Sequence, residues 1–444
     1  MVKKVYIVHC IDTEGPLNEN LKTTFKRIDS IFGIKLKPTK KNLIKIQNKK
    51  INFGKKTEAI SKTFSKKLLN YNNSWKKISK MNNKLLSMEF RKNFKDSNGN
   101  NWIYNWFIAD FVGFKSNPNK RELGFHKIWK KYKSFYKKNS IKDGFHFHHH
   151  PIPFSKSANH SSAHFFNHSP MIYEILSRKI IDLKWFPSVF RPGFHTIRPD
   201  SHWFLEQFIP FDFSNQRTKK DNLSQKDMSL GRFGDWRRAP ISWKCYHPSH
   251  DDYQEKGNCR RWTAKCLNIG TRARLISEKD IFQAFKEAKF GHPIIVSFAN
   301  HDYRNMEEDI VNVYKKILAV SKKFPEVKFI FSEARDAMRK SLKLKKINNV
   351  KIKQSLSKKI LHLKFNKKIF GPQPFLAIKT KDGKYYSDNF DIQKPFLEWT
   401  YTFDENTIDL NKVKEIGWAA NNSYGTTFVS NINLKNRKFK IYEN

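Results

Sequence analysis

The chain has 444 residues, of which 39% are hydrophobic and 39 are phenylalanine, enough apolar material for a substantial core and too much for global disorder. The formal net charge of +46 comes with heavy use of asparagine, isoleucine and phenylalanine and with lysines spread along the chain, so it reads as a coding bias on a solvated surface, with no nucleic-acid-binding signature to turn it into a binding face. Four cysteines exclude a disulfide scaffold, and no run approaches the roughly 20 apolar residues of a membrane helix.

The length favours two domains. MVKKVYIVHC has an apolar run too short for a signal-peptide core, so Val5 to Ile11 is expected as a first buried strand, entering the Gly15-Pro16 turn through Asp12-Thr13-Glu14. Together with the sparse cysteines this leads to the expectation of a cytoplasmic protein with reduced thiols. Leu21, Phe25, Ile28 and Phe32 recur at helical spacing, predicting a helix over 20–32. Residues 37–98 are rich in lysine and asparagine with short amphipathic pieces and are expected to form inserted helices. The aromatic run Trp102 to Phe114 is expected as a strand, and a helix follows over 127–138.

Gly144 to Pro151, GFHFHHHP, brings His146, His148, His149 and His150 within five residues. Imidazole is the commonest protein ligand for divalent metals, and four protonated rings so close would repel. His146 and His150, four apart, share a face of a helix or of a strand, which predicts that both aim at one ion. A polar loop with His160, His164 and His168 comes next, then a helix over 170–182 and a strand at Val189 to His195 running into a loop. A short helix over 201–207 and a strand at Phe211 to Ser214 follow. Cys245, His247, His250, Cys259 and Cys266 lack a close Cys-x-x-Cys pair, so a polar substrate-facing loop is expected there in preference to a zinc site. Helices over 278–289, 307–322 and 332–342 alternate with strands at Pro293 to Phe298 and Val327 to Phe331. The alternation predicts an α/β fold with parallel strands over 1–342. From 343 to 444 apolar and polar residues alternate between turns, predicting a small β-rich, sandwich-like domain.

Parallel α/β domains collect functional groups at the carboxyl ends of their strands. Asp12 with Glu14, the histidine cluster, Arg191 with His195, Asp212, and His301 with Asp302 all stand at predicted strand ends. In this order the series resembles the polysaccharide deacetylases, the carbohydrate esterase family that includes chitooligosaccharide and peptidoglycan deacetylases. IDTEGP (Ile11 to Pro16) is similar to the family's acidic motif, and His146 with His150-Pro151 to its histidine pair. FRPGFH (Phe190 to His195) resembles its Arg-Pro strand end, FDFS (Phe211 to Ser214) its aspartate strand, and IIVSFANHD (Ile294 to Asp302) its final histidine strand. The resemblance implies a distorted (β/α) barrel. It implies a divalent ion, with zinc the expected one, held by Glu14, His146 and His150. Asp12 would be the base, Arg191 its orienting partner and His301 the acid, with His148, His195 and Asp212 facing substrate. His148 shares a strand face with the histidine pair and is the reserve ligand.

The family usually has two adjacent aspartates. Asp-Thr-Glu departs from this and leaves open which carboxylate ligates, which acts as base, and whether Thr13 occupies the base position. The expected function is metal-dependent removal of an acetyl group from an N-acetylated sugar, small or lipid-linked, in surface-polysaccharide or lipopolysaccharide biosynthesis. Peripheral attraction to anionic lipids is compatible with the basic surface, and no nucleic acid is expected as a partner. The rivals are a catalytically degenerate carbohydrate-binding protein and a basic nucleic-acid-binding protein.

Overall fold

The computed structural model describes residues 3–114, 117–137, 141, 143–151, 171–219, 234–435 and 438–443. The predicted loop histidines His160, His164 and His168 lie outside the described residues. Seven parallel strands close into a barrel: β1 (Lys3–Thr13), β2 (Tyr104–Ala109), β3 (Gly144–His149), β4 (Val189–Pro192), β5 (Phe211–Asn215), β6 (Trp262–Asn268) and β7 (Ile294–His301). An eighth, β8 (Val327–Phe331), wedges into the seam. One edge of β1 is divided: Lys3 to Ile7 pair with β8, and His9 to Thr13 pair with β2. Asn105 bridges this split, its amide donating to the Ser332 carbonyl at 3.2 Å and accepting the Ala334 N–H at 2.7 Å. The expected distorted (β/α) barrel is therefore the observed architecture.

Strand alternation sets the inside of the barrel. Tyr6, Val8 and Cys10 of β1, Phe107 of β2, Val189 of β4, Phe211 and Phe213 of β5, Cys266 of β6 and Ile295 and Ala299 of β7 share one core. Val5, Ile7 and Ile11 face the other way, into the helical layer. The same inward row of β1 ends on Asp12, so the apolar plug gives way to polar groups at the carboxyl end of the barrel.

The segment between β1 and β2 forms helices at Leu21–Phe32, Lys40–Gln47, Thr57–Thr63, Trp75–Leu86 and Met88–Arg91. Asn20 caps the first by accepting the Thr23 N–H, and Gly33 ends it in the left-handed region at φ 68°. These helices bury a core of their own, Phe25, Ile28, Ile31, Ile46, Ile60 and Phe64. Asn72 ties the insertion to the barrel mouth, donating to the carbonyls of Asp302 and Arg304, each at 3.0 Å.

Beyond the barrel, nine strands among the described residues make two antiparallel sheets. Four are Ile352–Ser357, Ile360–Phe365, Asp391–Lys394 and Glu398–Thr402; five are Phe375–Thr380, Tyr385–Asp388, Val413–Asn421, Thr427–Asn433 and Lys438–Glu443. Leu361, Leu363 and Trp399 of one meet Leu376, Ile378 and Trp418 of the other, the packing of a sandwich. The outer face of the five-stranded sheet, through Phe375, Ala377, Ala419 and Val429, packs on the barrel helix Met171–Leu183. Gly417 permits this approach: a Cβ there would come within 2.6 Å of Ile180.

Candidate metal centre

Asp12, Glu14, His148, His150, Arg191 and His301 meet at the carboxyl end of the barrel, all of them buried or nearly so. Asp12 and His301 are paired in register across β1 and β7, and Arg191 comes from β4 beside His148. Arg191 Nε donates to Asp12 Oδ1 at 2.8 Å, and its Nη1 donates to the Phe213 carbonyl at 3.1 Å. Burial pushes the Asp12 carboxyl up, but the charges of Arg191, His148 and His301 outweigh it and hold it below the usual carboxylate range.

The group that could hold a metal ion is Glu14, His148 and His150. His148 Nε2 lies 3.1 Å from His150 Nε2, which lies 3.2 Å from Glu14 Oε1; the third edge, His148 Nε2 to Glu14 Oε1, is 3.8 Å. Ligands about 2.0–2.1 Å from a tetrahedral ion stand roughly 3.3 Å apart, so the three atoms trace one face of such a shell. The donor chemistry fits too. His148 Nδ1 is 3.0 Å from the Arg191 carbonyl, which fixes the ring as the Nδ1–H tautomer and turns the Nε2 lone pair inward. Burial lowers the pKa of His150, keeping it neutral and able to ligate. Glu14 is held well below its ordinary range because Arg121, His150 and His148 together outweigh its burial. Arg121 grips Glu14 Oε2, which leaves Oε1 for an ion. Gly193 lies flat against His150, where a Cβ would come within 2.4 Å of the ring.

Thr13 points away from this centre and donates its hydroxyl to the Phe107 carbonyl at 2.8 Å, so it does not stand in the base position. Alternation along β1 brings Asp12 and Glu14 to the same side instead. His301 Nε2 is 3.7 Å from both Asp12 Oδ2 and Glu14 Oε1, and burial takes the ring down to about 4.

Three expected roles change. His146 is not with the metal group: its Nε2 is 2.9 Å from Glu333 Oε1 and 3.2 Å from Asn105 Oδ1. The cluster is strand up to His149, and residues four apart on a strand are about 13 Å apart, whereas residues two apart are about 6.6 Å apart. A shared face is therefore not a shared reach, and the pair that meets is His148 with His150. His148, expected at the substrate and as reserve ligand, accordingly stands in the group that could hold an ion. Asp212 does not face the centre: Phe211 and Phe213 fill the barrel, so Asp212 points outward, where Ser214 donates to its Oδ2 at 2.7 Å and Arg261 Nε lies 3.6 Å away. His195 is close but stands against the Arg191 guanidinium, Nδ1 to Nη2 3.4 Å, with Asn268 Nδ2 3.3 Å from its Nε2.

Sequence reading missed two groups. Arg121, stacked between Phe111 and Tyr303 with its guanidinium carbon 4.8 and 5.1 Å from their ring centres, comes from the β2–β3 connection. The signal for it was compositional: only 18 of the 86 basic residues are arginine, so an isolated arginine in lysine-rich chain marks a place where a planar fork is needed. The sequence places Asp302 beside His301 without pointing to a role for it. Its two oxygens accept the backbone N–H groups of Glu14 and Gly15, each at 2.9 Å, and Oδ2 also accepts the Tyr132 hydroxyl at 2.7 Å. The Cys245–Cys266 stretch gathers no metal group among the described residues. His247 sits on the Arg261 carbonyl, and Cys266 belongs to the barrel core.

Comparison with known proteins found no matching family model, no matching curated protein and no matching solved structure.

Proposed function

We propose that this chain is a metal-dependent, deacetylase-like hydrolase that removes the acetyl group from an N-acetylated sugar in surface-polysaccharide or lipopolysaccharide assembly, working in the cytoplasm. One observation carries the reading: a buried Glu14–His148–His150 group with ligand spacing, beside the Asp12–Arg191 pair and His301, at the carboxyl end of a parallel barrel. Among the described residues no helix is long and apolar enough to cross a membrane.

Glu14, His148 and His150 would hold a divalent ion, zinc being the one expected. When bound, the ion polarises the acyl carbonyl and lowers the pKa of water. Asp12 takes the proton of the attacking water, and Arg191 orients it and keeps it ionised. His301, a neutral ring 3.7 Å from Asp12, would relay the proton that Asp12 takes from water to the departing amine. Asp302 fixes the backbone that carries Glu14, and Arg121 fixes the carboxylate itself.

The test is acetate release from a panel of acetylated nucleotide sugars, together with metal analysis of the purified protein. About one divalent ion per chain, and release that His148→Ala abolishes, are expected. A chain that neither retains nor takes up a divalent ion, or equal release by wild type and His148→Ala, overturns the proposal.

A further inference from the structure

A pocket of about 290 Å³ lies between the helical insertion and the barrel. One wall is the insertion, with Lys62, Ser65, Lys67 and Leu68; the other is the turn after β6, Asn268 to Thr271, and the helix Glu307–Ser321 with Asp309, Asn312 and Lys316. Its floor is apolar, and Leu275 at its edge remains 38% exposed. Lys62 is exposed. Lys67 is partly matched by Glu308 at 3.1 Å and Asp309 at 3.9 Å, and Lys316 Nζ reaches the Ile276 carbonyl at 3.1 Å. Behind the wall, Arg304 points its guanidinium at the carbonyls of Gly270 and Leu68, at 3.4 and 3.5 Å. Three lysines, Lys62, Lys67 and Lys316, thus line the pocket against one carboxylate, Asp309. The insertion adds to this surplus, for residues 37–98 carry 17 lysines and one arginine against three acidic residues.

Two short paths join the pocket to the metal centre. Asn268 lines it and touches His195, which stands against Arg191. Arg304 lies 5.3 Å from the Tyr303 ring centre, and Tyr303 packs on His301 with ring centres 4.8 Å apart. A ligand of this pocket needs an anionic part for the lysines, hydrogen-bonding oxygens for Ser65, Thr271 and Asn312, and an apolar part for the floor.

We propose that this pocket receives the diphosphate of a sugar carried on a diphosphate handle, with Lys62 and Lys316 as its cationic contacts and the apolar floor taking what lies beyond the phosphates. The inference rests on the deacetylase reading for the identity of the sugar end only. A nucleoside and a polyprenyl chain are two sources of one diphosphate chemistry, and the test separates them. Binding of pyrophosphate, uridine diphosphate and farnesyl diphosphate to the full chain is measured by calorimetry, without any acetylated substrate. The variants are Lys62→Glu with Lys316→Glu, and the control is Lys76→Glu with Lys80→Glu, on an exposed face of the insertion away from the pocket. At least a tenfold loss of affinity in the pocket variant, with the control near wild type, is expected. Tighter binding of uridine diphosphate than pyrophosphate assigns the floor to a nucleoside, and tighter binding of farnesyl diphosphate assigns it to a lipid carrier. Equal binding of all three leaves a site that reads the diphosphate alone. No saturable binding, or equal losses in pocket and control variants, overturns the proposal. Because no acetate is measured, a failed deacetylase assay and a failed pocket remain distinguishable.

Discussion

At the scale of single residues, the discriminating pair is His146 and His148. His148→Ala removes one of the three proposed ligands and is expected to abolish metal retention. His146→Ala leaves that group intact and is expected to cost ~1–3 kcal/mol of stability, because Glu333 loses its buried partner. Metal content and urea melts of the two variants check this; loss of metal in His146→Ala with normal stability would contradict it. Asp302 supplies the next prediction. Its carboxylate accepts two backbone N–H groups and a hydroxyl, and an asparagine has only one acceptor oxygen to offer them. Asp302→Asn is expected to lower metal affinity ~10–100-fold through a misplaced Glu14, measured by competition with a chelating dye. Much of the site was legible in the sequence, because Asp12, Glu14, His148, His150, Arg191 and His301 all end inward-facing strand rows. What could not be read was reach along the strand. Periodicity gives the face of His146 and Asp212, but which layer a side chain occupies, and whether phenylalanines already fill the inside, depends on the closed barrel.

At the scale of elements, the helix Met171–Leu183 is the hinge of the architecture, since it closes the barrel on one side and receives the β-sandwich on the other. Its contact is both steric and electrostatic. Gly417→Val would drive a side chain into Ile180 and Ile181, an overpacking expected to cost ~1–3 kcal/mol and visible as a lower urea midpoint. Beside it, Asp182 accepts the Tyr385 hydroxyl at 2.7 Å and meets His126 at 3.2 Å and Lys379 at 3.4 Å. Burial pushes Asp182 up, but these hydrogen bonds and the lysine charge outweigh it and draw it down to about 2. A carboxyl depressed on folding stabilises above its unfolded value of roughly 3.9, and that stability is lost as pH falls through about 2. Stability is therefore expected to decline from about pH 4 towards pH 2, and less steeply in Asp182→Asn, in melts followed by near-ultraviolet circular dichroism. The alternation of strands and helices up to β8, and the switch to period-two patterning beyond it, were visible in sequence. β6 was not. Trp262 to Asn268 mixes lysine and cysteine, and its assignment comes from pairing with β5 and β7 on either side.

At the scale of the whole molecule, charge and fold work against each other. A net charge of +46 repels itself, whereas the pairs Arg91–Asp143, Lys179–Asp110 and Arg191–Asp12 are buried at 2.6 to 2.8 Å, where salt screens little. Exposed pairs such as Lys49–Glu58 add little each. Salt should therefore relieve repulsion more than it weakens attraction, and Tm is expected to rise between ~20 and ~300 mM sodium chloride, where the Debye length falls from about 20 to about 6 Å. The insertion offers the sharper test. The helix Lys40–Gln47 opens on two lysines with no acidic residue in its first turn, the arrangement its dipole disfavours. Lys40→Glu with Lys41→Glu removes repulsion and complements the dipole, each change contributing ~0.3–1 kcal/mol at low ionic strength. The double variant is expected to melt higher than wild type at low salt and to converge with it at high salt, as read by calorimetry. A wild-type Tm that falls as salt is added would mean that surface ion pairs, rather than the buried ones, hold the lysine-rich insertion to the barrel.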